Sequence, residues 1–440
     1  VGDGGGGVYC FEGGTLTRCT IGENGANDGG GMYFDGGYGS ASNCTIIGNT
    51  VGGMGGGVCC QGGGTAGAQL YDCTIESNTA WEGGGVCAVN AGAEFYHCTI
   101  QGNWADNEGG GVLLASTETT SGGVLWYCVI TDNESPRGGG VLLGAGGDGY
   151  GGDAVSCIIA GNDAADGGGV YAATVGGGNP GSVAWCTIVD NIATNAGGGI
   201  YWNNAGSALS CIIYDNSGGN WYQSGSGMSY TYCCTTPLTG LPNPSSCIDA
   251  DPRFVNAPIG DYHLRYGSPC IDAGGSVVGT VTNDLDGDPR PLEGDYSNPT
   301  YTDIGADEYN PVTADSDGDT MRDDWEHRYD LNPTNAADAA GHADADGINN
   351  RDEHTADTCP TNGASYFHLT DIDKTNSFAV EFVCTNSRAY SLQFATNMVD
   401  GQWSMVNGAT NVAGSASGTM SLTDTVDSVQ RSYRVGVGIP

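Results

Sequence analysis

Cys98-Thr99-Ile100-Gln101-Gly102-Asn103, followed six residues on by Gly109-Gly110-Gly111-Val112, is one copy of a pattern written eight times in the first half of the chain. Cysteines stand at Cys19, Cys44, Cys73, Cys98, Cys128, Cys157, Cys186 and Cys211, 25 to 30 residues apart. Isoleucine follows each by two positions, from Ile21 through Ile100 to Ile213, and asparagine by five, from Asn24 through Asn103 to Asn216. A triple glycine recurs in the same rhythm from Gly5 to Gly197, with Val or Ile after it in seven units. Cys and Ile two residues apart face the same side of a strand, and the residue between them faces away. A unit of this length cannot close a core of its own, whereas stacked copies bury a continuous one. The asparagine is expected to end the strand in a left-handed backbone conformation and to bond the asparagines above and below it. The triple glycine permits a tight corner and close approach of neighbouring coils. Together these features predict an all-β protein that begins as a parallel β-helix of about 8–9 coils, with three short strands to each coil.

Spacing from Asn to the next triple glycine is 5 or 6 residues, but from triple glycine to the next Cys it is 12 to 17. Insertions at Gln61–Leu70, Ala115–Gly123, Leu143–Asp153 and Ala172–Val183 therefore fall on one corner, which reads as a flank of tolerated surface loops. Glycine contributes 79 of the 440 residues without the strict period or the proline of collagen. Hydrophobic residues at 39% and 22 tyrosines are too many for a disordered glycine-rich tract. No apolar run is long enough to span a membrane as a helix. Fifty-one acids face twelve bases, and a net charge of −39 makes nucleic acid and anionic membrane poor partners. Eighteen cysteines suit an oxidising setting, so the protein is expected to be secreted, extracellular or at a cell surface. With no initiator methionine and no leader, it reads as a mature product or a fragment.

The repeated Gly-Gly-Gly-Val/Ile and Cys-Thr-Ile-x-x-Asn units resemble those of bacterial polymorphic outer-membrane and related surface proteins, which implies a right-handed β-helix. Asp251-Pro252-Arg253-Phe254-Val255, Gly267-Ser268-Pro269-Cys270-Ile271-Asp272-Ala273-Gly274 and Asp303-Ile304-Gly305-Ala306 resemble the choice-of-anchor region that closes such helices. These likenesses imply a surface or secreted protein and no particular activity.

After the helix the chain turns acidic. Asp315 to Glu326 reads as a twelve-residue calcium loop, with Asp315, Asp317, Asp319, Asp323 and Glu326 at positions 1, 3, 5, 9 and 12, and the Met321 carbonyl at position 7. Thr320 stands at position 6, where glycine is usual. A second loop, His342 to Glu353, offers Asp344, Asp346, the Ile348 carbonyl, Asn350 and Glu353, with His342 in place of the first aspartate. Five carboxylates clustered without a cation would repel strongly, so calcium is the expected cofactor. The pair resembles thrombospondin type 3 and dockerin-like calcium repeats. Beyond about Tyr366, alternating strands at Phe378–Cys384, Ala389–Ala395, Trp403–Val406, Thr419–Leu422 and Ser432–Val437 predict a small β-sandwich. The expected division is 1–234 helix repeats, 235–310 helix C-terminal region, 311–362 calcium loops and 363–440 sandwich.

The ladder cysteines are expected to be buried thiols, and Cys59 and Cys87 follow successive Gly-Gly-Gly-Val units with room to pair. Outside the ladder the expected disulfides are Cys234–Cys247 and Cys359–Cys384. No CxxC pair occurs, which argues against zinc. A lyase needs a cation-rich site, yet residues 1–234 hold only Arg18, Arg137 and His97, on separate coils. For a hydrolase the nearest carboxylate pairs are Asp148 with Asp153 and Asp163 with Asp166. The reading is therefore a non-enzymatic structural protein. Because Val1-Gly2-Asp3 opens directly into the first triple glycine, copies are expected to stack head to tail through Val8 and Tyr9 into a homopolymeric filament or layer. A monomeric adhesin or binder of surface glycans is the alternative, and a polysaccharide lyase or hydrolase the second.

Overall fold

The computed structural model describes residues 4–439 apart from 37–38, 63–66, 119–120, 148, 177, 277–280, 295–300, 345, 375–376, 397–401, 416–417 and 427–430. Two compact units divide between Asn310 and Pro311. The first is a solenoid of short parallel strands, stacked in register. The Ile column runs Ile46, Ile75, Ile100, Ile130, Ile159, Ile188 and Ile213, each directly over the next. All of these are fully buried, as are Cys98, Val86, Ala88 and Phe95.

Each coil has four strand positions rather than three. One coil comprises Thr79–Glu82, Val86–Val89, Ala93–Tyr96 and Thr99–Gln101, and the extra position forms a seven-stranded sheet of its own. That segment joins the asparagine to the triple glycine and was expected to be a corner. It is extended because its second residue is small and points inward: Ala80, Ala105, Ser135, Ala164 and Ala193 are all buried. The insertions fall, as expected, between the second and third positions of the coil, for example between Val112–Ser116 and Gly123–Trp126.

The left-handed backbone also sits one residue earlier than expected. Ser77, Gly102, Asp132 and Asp190, each just before a ladder asparagine, have φ of 56°, 59°, 56° and 55°. Asp72, His97, Tyr127 and Trp185, each just before a ladder cysteine, have φ of 52°, 50°, 56° and 49°. One left-handed residue turns the corner, and the Cys or Asn after it enters the next straight segment pointing inward. Within the triple glycine, a Cβ at Gly84 would lie 2.5 Å from the Gly110 carbonyl oxygen, and one at Gly85 would lie 2.6 Å from that of Gly111. Only glycine lets the coils approach this closely.

Buried asparagines bond as foreseen. Asn103 Nδ2 donates to Asn133 Oδ1 at 2.9 Å and to the Ile75 carbonyl at 3.0 Å, while its Oδ1 accepts from Asn78 N and Asn78 Nδ2. Asn103→Ala would remove these four side-chain bonds and strand their partners away from water. At about 1–3 kcal/mol for a stranded buried group, we expect a loss of about 3–5 kcal/mol in chemical denaturation. Asn24→Ala, at the end of the ladder, should cost about a third as much.

The cysteine column is longer than eight, because Cys233 and Cys247 continue it: Cys233 N donates to Cys247 Sγ at 3.4 Å. Leu238 and Leu241 then pack onto the last coil and close the apolar interior at that end. The described residues between 249 and 309 lie along the flank of the same unit, so the expected boundary at 234/235 does not separate two bodies. Thr187 Oγ1 accepts from Ala306 N, Ser210 Oγ accepts from Gly275 N, and Trp185 Nε1 donates to Thr302 Oγ1. Arg290 and Glu308, both wholly buried, pair at 2.9 Å inside this flank.

The second unit holds the acidic segment together with two antiparallel sheets, Leu369–Asp373/Phe378–Val383/Thr419–Asp424 and a sheet centred on Ala389–Ala395. Both sheets contribute to one core around Phe382, Tyr390, Leu392 and Leu422. Ser432–Gly438 pairs along the whole of Ala389–Ala395. Strands at Leu369–Asp373 and Val412–Ala413 are additional to the expected five.

Candidate metal centre

The acidic segment folds as two loops, each running into a short helix, Asp323–Arg328 and Asn350–Ala356. Met321, Trp325 and Ala339 are buried together, and Trp325 meets the His354 ring edge to face at 5.1 Å. This small core anchors the loops. Met321 is held by its side chain.

Within each loop the carboxylates do two jobs. Asp317 Oδ1 accepts from Asp319 N and Asp319 Oδ1 from Met321 N, at 3.2 and 2.8 Å. In the second loop Asp344 Oδ1 accepts from Asp346 N and Asp346 Oδ1 from Ile348 N, at 3.0 and 2.7 Å. One oxygen of each carboxylate thus shapes the turn. The other, Oδ2 of Asp317, Asp319, Asp344 and Asp346, is buried and has no hydrogen-bond partner among the described residues. Both oxygens of Glu326 and Oε2 of Glu353 are in the same state, and both residues are wholly buried. Buried carboxylates without donors are costly unless a cation meets them. Ligand atoms of Asp315, Asp317 and Asp319 lie within 4.8 Å of one another, as do those of Asp344, Asp346 and Glu353.

Position 9 departs from expectation in both loops. Asp323 accepts from Ser316 N and Ser316 Oγ, at 2.8 and 2.5 Å, and so braces its own loop. Asn350, its counterpart, accepts from Ala343 N at 3.3 Å and donates to the Asp338 carbonyl. Asp338 takes the vacated role: its carboxylate joins Asp319 and Glu326 within 4.8 Å, and its Oδ1 is unpartnered among the described residues. It lies outside the twelve-residue frame, so loop spacing could not reveal it. The Ile348 carbonyl is engaged by His342 Nδ1 at 2.8 Å. The loops also brace each other, since Arg351 Nε donates to the Asp319 carbonyl at 2.9 Å.

Burial, reinforced by the neighbouring carboxylates, pushes Glu326 up to about 9, Glu353 to about 7 and Asp317 to about 6. Oxygen-only donors in this density suit calcium and would suit a soft metal poorly. Thr320 carries φ of 77° and Gly347, at the same loop position, 89°. A threonine held there costs about 1–3 kcal/mol. Thr320→Gly should therefore stabilise the calcium-free segment by about 1 kcal/mol and tighten calcium binding, read by thermal melts and calcium titration.

Residues 2–180 match the family described as right handed beta helix region. The first unit is a right-handed parallel β-helix. A comparison with curated proteins found no match.

The residues weighed for a lyase or hydrolase have these surroundings in the β-helix. Arg137 pairs with Glu108 at 2.5 Å, and His97 stacks on Tyr127. Asp153 Oδ1 accepts from Ser182 N and Oγ, Asp163 and Asp166 lie on one strand, and Asp148 is outside the described residues. Of the expected disulfides, neither pair is brought together. Cys247 follows Cys233 in the inner column, while Cys234 points out of it and bonds the Ala250 carbonyl. Cys359 lies against Thr361, and Cys384 bonds Ser415 inside the sandwich core. Strand alternation explains the first error: adjacent cysteines face opposite ways. Cys59 and Cys87 are register partners on neighbouring strands, and both are buried.

Proposed function

We propose that this β-helix protein is a non-catalytic extracellular scaffold whose C-terminal unit is rigidified by calcium. The observation that carries the reading is the set of buried carboxylate oxygens in two matched loops with no donor among the described residues, both oxygens of Glu326 included. Extracellular calcium, at millimolar levels, would saturate even modest sites of this kind. Arg388 ties the loops to the sandwich by donating to the His354 and Thr355 carbonyls, so ordering the loops would stiffen the whole unit. The coherent acid–base pairs that a polysaccharide-cleaving enzyme requires find no support in the disposition of Arg137, His97 and Asp153. Head-to-tail stacking through Val8 and Tyr9 is the weaker reading. Tyr9 is half exposed on the first coil, but Leu238 and Leu241 occupy the interior that an incoming coil would meet.

Calcium titration tests the proposal. Calcium requires ionised carboxylates, while Glu326 and Glu353 are raised in its absence, so binding should release protons at neutral pH. Affinity should be greatest above about pH 9 and decline as pH falls through about 7 and 6. Without calcium the sign reverses. Raised carboxylates make the folded segment bind more protons than the unfolded chain, so its stability should fall as pH climbs from about 4.5 to about 9. Absence of calcium binding at millimolar concentrations would overturn the reading.

A further inference from the structure

We propose that the groove between the two sheets of the second unit binds a small apolar carboxylate, with its chain in the groove and its charge beside Lys374. The groove starts from strand alternation. Val380 and Phe382 are buried in the core, and their register partners on the neighbouring strand are Ile372 and Leu369. Directly paired residues share a face of a sheet, so both partners point inward. They stand three residues apart, and the register shift between Leu369 and Asp371 keeps them on one side. Asp371 and Asp373 pair with Glu381 and Ala379 on the other face.

Inward-facing apolar side chains are ordinarily covered by the opposing sheet. Leu369 and Ile372 instead remain 42% and 48% exposed. Their strand, Leu369–Asp373, is the outer strand of its sheet, and Ser432–Gly438 is paired only with Ala389–Ala395 among the described strands. Between these two strands lies a cavity of about 250 Å³, lined by Leu369, Ile372, Val380, Leu392, Tyr433 and Val435. Pockets for drug-sized molecules hold about 300–1,000 Å³. A short chain fits here and a bulky one does not.

Charge selects the other end of the ligand. No acid lines the cavity among the described residues, in a chain where 51 acids face 12 bases. Lys374, the single lysine of the chain, does line it. Its ammonium lies 5.9 Å from the Phe378 ring centre and has no ion-pair partner among the described residues. Arg431 is the second cation, 3.8 Å over the Phe394 ring and paired with Asp424. Tyr433 Oη donates to the same Asp424 oxygen at 2.9 Å, so that carboxylate is already balanced. Arg434 is engaged elsewhere, donating to Gln393 and lying over Trp403. An unpaired ammonium beside uncovered apolar surface suits an anion on an apolar body. A neutral alcohol would leave Lys374 unpaired, and a bare inorganic anion would leave the groove unfilled. A second copy of the chain is a poor occupant, because a net charge of −39 repels its like.

Isothermal titration of the full chain with butanoate, hexanoate and octanoate tests the groove, and octanol in place of octanoate tests the charge. We expect one saturable site whose affinity rises about fourfold for each methylene buried. Octanol should bind more weakly than octanoate, and raised salt should narrow the difference. Lys374→Gln should lose about two- to fivefold in octanoate affinity, as for an exposed ion pair, and leave octanol unaffected. Lys374→Arg should retain octanoate. Ile372→Glu, at a half-exposed position, brings a negative charge into the groove and should abolish octanoate binding. Equal affinity for octanol and octanoate, indifference to chain length, or no binding of millimolar octanoate would overturn the proposal. So would a dimer in sedimentation that Ile372→Glu dissolves, since the groove would then belong to a second copy. The chain-length and alcohol comparisons use the unsubstituted protein, so they decide the matter even where a variant fails to fold.

Discussion

Replacing Ile100 by aspartate should destroy the β-helix locally and cost more than about 5 kcal/mol. Ile100 is wholly buried, stacked between Ile75 and Ile130, with Cys98 and Asn103 buried on the same coil. Losing the isoleucine costs about 2–5 kcal/mol in a large-to-small sense. An ionised carboxylate there would find no cation, and the nearest polar groups are already committed to the asparagine ladder. Domains are stable by about 5–15 kcal/mol in total, so one substitution should consume most of the margin. Thr99→Asp is the control, because Thr99 faces outward between Thr74 and Val129 and should cost less than about 1 kcal/mol. Urea denaturation followed by circular dichroism separates the two. Equal effects would mean that the strand faces are reversed.

Calcium withdrawal should have the second largest effect, confined to the second unit. Chelation would leave Asp319, Glu326 and Asp338 within 4.8 Å of one another, and Asp315, Asp317 and Asp319 likewise, with no positive charge between them. We expect residues 311–362 to become protease-sensitive within the chelated protein, while the ladder, which is built without carboxylates, keeps its circular dichroism. Asp338→Asn is the sharper probe. It should weaken calcium binding at the first loop by tenfold or more, a change of about 1.4 kcal/mol or more. Asp323→Asn should act by loosening the bond to Ser316, so a melt without calcium should register it, whereas Asp338→Asn should stabilise the calcium-free state by relieving repulsion. Chelator-indifferent proteolysis would end the calcium assignment.

Much of this was written in residue spacing. The eightfold Cys-x-Ile-x-x-Asn period placed Cys98, Ile100 and Asn103 in the core, because stacked coils superimpose equivalent positions and turn one-dimensional repetition into columns. The two loops were legible for the same reason: acids at alternating positions belong to a single turn, so the carboxylates of Asp315, Asp317 and Asp319 cluster, as do those of Asp344, Asp346 and Glu353. The small inward residue of the fourth strand, Ala80 or Ala105, was visible too, but a five- or six-residue gap looks like a corner until the neighbouring coils pair with it.

Other features depended on segments far apart in sequence. Asp338 completes the first loop's cluster from outside its frame, and Asp323 turns away to hold Ser316. Ala306 meets Thr187 and Gly275 meets Ser210 because the chain after the last coil folds back along the helix flank, a path that no local pattern specifies. Periodicity determines which side chains lie in a shared column, since the strand or turn carries its own geometry. Which unrelated segments then touch is decided by the packing of those columns against the rest of the chain, where burial and unpaired polar atoms select the partner.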